Sequence, residues 1–249
     1  MDQKFYDASD MAKICSPACN GCGKCCHAMT DTIHLDPYDI NALENGLHQS
    51  FPELLNRGSI AFHEEDGLIL PHLRMEDTRE GEGRGRCTFL SEDGRCSIHE
   101  FRPGYCRLFP LGRNYDTSTH TFQYFVVGGG CDMPGRYKVR INKWLGIPNL
   151  PRYESFVSEW HYYIRDIKEK IAGYSQDAAG QIAASENTAS HDAALPDTTS
   201  QNTAENPNES YIRRLNLFIL KVFYETPFDS NRDFYEQFDL RLKEARTVL

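Results

Sequence analysis

Apolar residues recur at three- and four-residue steps in three places along the chain. Phe156, Val157, Trp160, Tyr163, Ile164 and Ile167 form one stripe. Ile212, Leu215, Phe218, Ile219, Val222 and Phe223 form a second, and Phe234, Phe238, Leu242 and Ala245 a third. That spacing sets each group on one face of an amphipathic helix, and the stripes read as packing faces rather than cofactor boxes. Asp229 or Ser230 is the expected N-cap of the last helix. Lys138 to Leu145 reads as a short helical segment closed by Gly146 and Pro148. Asp36-Pro37 opens another helix, because Asp caps well and Pro suits the first helical position. It runs toward Leu47 with Ile40, Leu43 and Leu47 on one face.

Shorter patterns fill the space between. Ile60–Phe62 and Leu68–Leu70 read as strands around the turn residues Asp66-Gly67. Cys87–Leu90 and Arg95–Ile98 flank Asp93-Gly94 as a hairpin would. Tyr124–Val127 is a strand ended by Gly128, Gly129 and Gly130, and no internal repeat is present. Between Tyr174 and Tyr211 there is no aromatic residue, and the stretch is mostly Ala, Ser, Thr, Asn and Asp. Ordering it would cost about 1–2 kcal/mol per residue with no apolar return. The expected fold class is α+β, in three parts. A small irregular cysteine-rich domain with short β-hairpins and flanking helices covers 1–173, a disordered linker covers 174–209, and a helical pair covers 210–249. That pair is expected to dock on the domain or on a protein partner.

Composition narrows the function. The chain has 249 residues with Lys+Arg 27 and Asp+Glu 36, a formal net charge of −9. A non-specific nucleic-acid binder needs a cationic surplus, so that class is set aside. No apolar run approaches the ~18 residues of a membrane span. The opening MDQKFYDASDMAKIC lacks the apolar core of a secretory signal. The expectation is a cytoplasmic protein with no membrane and no nucleic-acid partner. Nine cysteines are then the anomaly, all between Cys15 and Cys131. Disulfides are rare in a reducing compartment, which leaves metal ligation or redox chemistry.

Cys19, Cys22, Cys25 and Cys26 spell C-x2-C-x2-C-C, with Gly21 and Gly23 available for a tight loop. A bacterial ferredoxin would place its next Cys where Met29 stands, so that pattern fails. Further thiols come from Cys87, Cys96, Cys106 and Cys131, giving eight candidate ligands. Eight suit two four-coordinate sites, or one multinuclear cluster with thiols to spare. Adjacent side chains diverge in helices and strands alike, so Cys25 and Cys26 are expected on different metals or different atoms of one cluster. Arg84, Arg86, Arg95, Arg102, Arg107 and Arg113 stand near the second cysteine group, where they would offset thiolate charge or serve as ordinary surface residues.

The motif CNGCGKCC, followed by CTFLSEDGRCSIHEFRPGYCRLFPLG, resembles the CxxCxxCC family, a YkgJ-type zinc- or iron-chelating cysteine-cluster domain. The resemblance spans roughly Cys15 to Tyr137. It implies metal-ligand roles for Cys19, Cys22, Cys25, Cys26, Cys87, Cys96, Cys106 and Cys131, with zinc or iron as the cofactor and a 4Fe-4S cluster as one form. Arg102, Pro103 and Arg107 match the family's RPxxCR turn, His99 stands where the family often has Tyr, and Cys15 falls outside the pattern. Flagellin lysine methylases resemble this family and are associated with iron–sulfur binding.

Three other readings compete. Cys15, Cys19 and Cys22 have the spacing of radical S-adenosylmethionine enzymes, but Gly21 stands where those have an aromatic residue. Val126 to Gly130 could end a nucleotide-binding strand, yet Pro134-Gly135 follows where a helix should begin. A structural zinc module for protein–protein contact remains open, as does a cluster-dependent protein-modifying enzyme. No Walker loop, Ser-His-Asp signature or HExxH is present, and catalytic residues are not assigned.

Overall fold

The computed structural model describes residues 3–14, 23–27, 32–76, 85–128, 137–186 and 207–248. In chain order its strands and helices are β1 (Phe5–Tyr6), β2 (Met11–Ile14), α1 (Pro37–Leu47), α2 (Phe51–Asn56), β3 (Ile60–Glu65) and β4 (Leu68–Leu73). Next come β5 (Met75–Glu76), β6 (Arg86–Cys87), α3 (Gly104–Leu108), β7 (Leu111–Asp116), β8 (Thr121–Val126) and β9 (Tyr137–Arg140). The C-terminal part is helical: α4 (Ile141–Leu145), α5 (Leu150–Glu186), α6 (Pro207–Leu220) and α7 (Phe234–Val248). The mixture of helices and antiparallel strands is α+β, as expected.

The strands form small units rather than one sheet. β1, β8 and β7 make a three-stranded antiparallel sheet in the order β1-β8-β7, while β2-β9, β3-β4 and β5-β6 are two-stranded. The β3-β4 hairpin turns on Asp66 and Gly67, both at positive φ (55° and 76°), the type I′ geometry that Asp-Gly favours. Such short ladders cannot stand alone in water, so they depend on the helices packed against them.

Helix α5 is the spine, and its apolar stripe meets both tail helices. Phe156 packs against Phe238 of α7 with ring centroids 4.6 Å apart, Tyr174 against Tyr211 of α6 at 4.4 Å, and Trp160 at 5.0 Å against Phe223 in the π-helical turn Lys221–Glu225 that follows α6. Tail and cysteine domain share one continuous core, in which Phe223, Phe238 and Ile219 join Ile40, Leu43 and Leu73. Polar contacts fix the register. Tyr224 Oη donates to the Leu35 carbonyl at 3.0 Å, and Asn216 bridges the β3-β4 turn by accepting from Ile69 N–H and donating to Gly67 O.

Several expectations differ in detail. Helix α5 continues to Glu186, through residues where a linker is expected. Ala178, Ala179, Ala183 and Ala184 are strong helix formers, and extending an existing helix costs far less than nucleating one. Residues 187–206 lie outside the described residues, and α6 begins at Pro207. The cap of α7 is Asp233, whose carboxylate accepts Glu236 N–H at 2.9 Å, while Asp229 instead caps a turn at Asn231. Residues 137–140 are strand β9 rather than helix, because pairing with β2 claims their backbone groups. Among the described residues no helix is long and apolar enough to cross a membrane.

Candidate metal centre

The first pair of thiols sits on a tight turn. Gly23 adopts φ +64°, which a side chain would strain, and its carbonyl accepts Cys26 N–H at 2.8 Å. The resulting 3-10 turn, Lys24–Cys26, brings the Cys25 and Cys26 sulfurs to 3.9 Å. The sequence argument expects these neighbours to diverge; the tighter turn after Gly23 instead holds them together. A tetrahedral ion with metal–sulfur bonds of about 2.3 Å needs sulfurs about 3.8 Å apart, so this edge already fits one zinc ion.

A backbone bridge between His27 and Arg86 then ties the turn to β6, whose last residue is Cys87. The expected Asp93-Gly94 hairpin is a compact loop with a single Leu90–Cys96 bridge, not a ladder. Asp93 holds it by accepting from Ser91 Oγ and Arg95 N–H, and Ser97 N–H reaches Phe89 O at 2.9 Å. The backbone bonds from Ser91 N–H to Arg95 O and from Ser97 N–H to Phe89 O flank that one bridge.

Cys106 arrives on α3, which is anchored at both ends. At its start Gly104 N–H donates to the buried Asp39 carboxylate at 2.8 Å, and beyond its end Trp144 Nε1 donates to Phe109 O at 3.2 Å. Position 104 has to be glycine because a Cβ there would lie 2.1 Å from the Tyr153 hydroxyl oxygen. Asp39 is legible in the sequence as the third residue of the α1 capping box. Its second role, reaching α3, carries no local signal.

Cys25, Cys26, Cys87, Cys96 and Cys106 all line one cavity of about 700 Å³. Their ionisations oppose one another. Cys25 is lowered to about 6, first by the hydrogen bond from the Cys26 thiol and further by the Arg102 charge. Cys26 is pushed up by that same bond, then by burial and the neighbouring thiols. Burial, followed by the other sulfurs, raises Cys87 and Cys106. Crowded thiols of this kind lose protons together only when a cation shares their charge. The donors are soft, which suits zinc or iron and not magnesium or calcium.

Cys19, Cys22 and Cys131, with Cys15, lie outside the described residues. Among the described residues no three Cys, His, Asp or Glu side chains converge on one point at ligand distance. The arginines divide by role. Arg86 and Arg107 donate to carbonyls of the loops that carry the cysteines, Leu90 O for one and Arg102 O and Glu100 O for the other. Arg95 pairs with Asp93 at the surface. Among the described arginines Arg102 is the one that acts on Cys25, and it also contacts His99 Nε2, which occupies that ring nitrogen. Arg84 lies outside the described residues. The cavity continues past the thiols to Tyr105, Phe109, Arg113, Tyr115 and Phe125, an aromatic extension that sequence spacing did not single out.

Comparison with known proteins gives one result. Residues 18–125 match the family CxxCxxCC, described as "Putative zinc- or iron-chelating domain". No curated protein and no solved structure matches the chain.

Proposed function

With residues 18–125 matched to the zinc- or iron-chelating CxxCxxCC domain, we propose that this chain binds zinc or iron through cysteine thiolates. The observation that carries the reading is that five thiols from three separated segments line a single cavity. The three segments are held there by Gly23, by the Asp93 loop and by the Asp39–Gly104 bond, and Cys26, Cys87, Cys96 and Cys106 also pack on the hydrophobic core. Cys25, Cys26, Cys87, Cys96 and Cys106 would serve as ligands there, joined by Cys19, Cys22 and Cys131. A bound metal would neutralise the thiolates and tie three chain segments together.

An iron–sulfur cluster is the finer form of this proposal, favoured by the number of thiols available. Mononuclear zinc is the second reading, and the 3.9 Å Cys25–Cys26 edge favours it. Anaerobic purification with elemental analysis and visible absorption separates the two. Iron with acid-labile sulfide and a brown colour supports the cluster. A colourless protein holding zinc alone supports the mononuclear site, and one holding neither metal overturns both.

A further inference from the structure

Three histidines, at positions 34, 63 and 72, are scattered in sequence and meet in space. His72 lies in β4, and His34 pairs with it across an isolated antiparallel bridge. The backbone bonds flanking that bridge run from Leu35 N–H to Pro71 O and from Leu73 N–H to Ile33 O. They make it a non-hydrogen-bonded pair, the kind that brings opposed side chains closest. On the other edge of β4, Ala61 pairs with His72, and His63 follows two residues after Ala61, so the three imidazoles share one face. The His63 ring centroid lies 5.7 Å from that of His34 and 5.8 Å from that of His72. His72 is buried, while His34 and His63 are half-buried and reach solvent. Leu73, the next residue of β4, lines the thiol cavity, so the strand stands between the histidines and the cysteines.

We propose that His34, His63 and His72 form a second site, separate from the thiols, for a divalent transition-metal ion such as zinc or nickel. Imidazole nitrogens bind zinc at about 2.1 Å, so two rings on one tetrahedral ion have centroids roughly 5.3 Å apart. The separations here exceed that by only about 0.5 Å. As they stand the rings meet edge to face, at 72° and 84°, and their nitrogens do not converge. The Cβ–Cγ bond points through the ring centre, and rotation about it is soft. Turning a ring therefore swings its nitrogens and leaves its centroid in place, so the site closes by side-chain rotation on strands that stay put. Imidazole donors suit zinc, copper and nickel rather than magnesium or calcium. Each histidine has further interactions that an ion must displace, which favours ions high in the affinity series. A chain of net charge −9 also draws cations toward its surface. The inference goes beyond the proposed function, because it needs no cysteine.

The test is equilibrium dialysis of the full-length protein against zinc, with zinc and iron per chain measured before and after. His63→Gln, a change at a half-buried position, should hold one zinc per chain fewer than the wild type. His34→Gln and His72→Gln should each weaken that equivalent at least about tenfold, as loss of one ligand in three implies. Zinc should raise the melting temperature of the wild type more than that of His63→Gln, since an ion bound to the folded state stabilises it. Cobalt gives a readout that needs no variant: one equivalent on the wild type should lack thiolate-to-metal charge-transfer absorption. A His63→Gln protein that holds as much zinc as the wild type, or cobalt that shows thiolate charge transfer in every equivalent, would overturn the proposal. A protein that loses one zinc on His63→Gln and none in the cysteine variants sinks the thiolate reading and keeps this one. Metal lost in the cysteine variants alone does the reverse.

Discussion

Asp39 Oδ1 accepts the backbone N–H of Gly104 at 2.8 Å across 65 positions of sequence. The residue that closes the capping box of α1 is therefore also the anchor of the helix carrying Cys106. Its second oxygen accepts Asp36 N–H, so one buried carboxyl satisfies two backbone donors. Through this contact the hydrophobic core sets the position of a candidate ligand.

Removing that carboxyl exposes the coupling. Asp39→Ala leaves both donors without acceptors, at about 1–3 kcal/mol each when buried, so a loss of roughly 2–4 kcal/mol is expected. Asp39→Asn keeps the acceptor for Gly104 and should lose less. Urea unfolding measures the first effect, and the rate of Cys106 alkylation, faster in the Ala variant, measures the loosening of α3. Unchanged unfolding midpoint and alkylation rate would contradict the anchor.

The same corner makes stability depend on pH. Burial raises the Asp36 carboxyl from 3.8 to about 6, and burial followed by the Asp36 charge raises Asp39 well above the carboxylate range. Between 3.8 and about 6 the folded chain keeps a proton on Asp36 that the unfolded chain has released, so stability falls as pH rises through that window. Below it both states are protonated and the penalty is absent; above it the penalty is complete. Asp36→Asn preserves a good N-cap and removes the titration. The variant should gain on the wild type as pH rises from 3.8 to about 6. A constant difference across the range would contradict this assignment.

Gly104 and Tyr153 form a steric pair. Gly104→Ala should cost about 1–3 kcal/mol, since its Cβ would meet the hydroxyl oxygen at 2.1 Å. Tyr153→Phe removes that oxygen, so the double variant should be more stable than the sum of the two single losses implies. A double-mutant cycle reads the coupling, and simple additivity would mean the clash is relieved another way.

The tail helices are structural by the same logic. Phe238 is fully buried between Phe156, Trp160 and Phe223, and Phe238→Ala should cost about 3–5 kcal/mol. Tyr224→Phe, which loses only the bond to Leu35 O, should cost about 1 kcal/mol. Thermal unfolding of the full chain tests both; little change for Phe238→Ala would mean that the tail does not stabilise the core.

Periodicity carried the helices well. The stripes at Phe156 and Phe234 each emerge as an α-helix, and the one at Ile212 as α6 followed by a π-helical turn, Lys221–Glu225, that carries Val222 and Phe223, because a 3.6-residue repeat is a long and redundant signal. Asp36-Pro37 and Asp66-Gly67 worked because capping and turn chemistry are local. What was not legible depends on partners distant in sequence. Strand β2 is short and finds its mate in β9, more than a hundred residues away. The Asp39–Gly104 bond and the orphaned Nε of Arg113 likewise exist only once the chain has folded. At the candidate centre the cysteines could be named from spacing. Their turn geometry could not, and the divergence expected of Cys25 and Cys26 gave way to a 3.9 Å contact.

Metal per chain in the anaerobically purified full-length protein is the most direct measurement, made on the wild type and on Cys26→Ser, Cys87→Ser, Cys96→Ser and Cys106→Ser. Zinc or iron at a fixed stoichiometry in the wild type, reduced or lost in each variant while far-UV circular dichroism is retained, is the expected result. A wild type without either metal, or four variants that hold it as the wild type does, would contradict a shared thiolate centre.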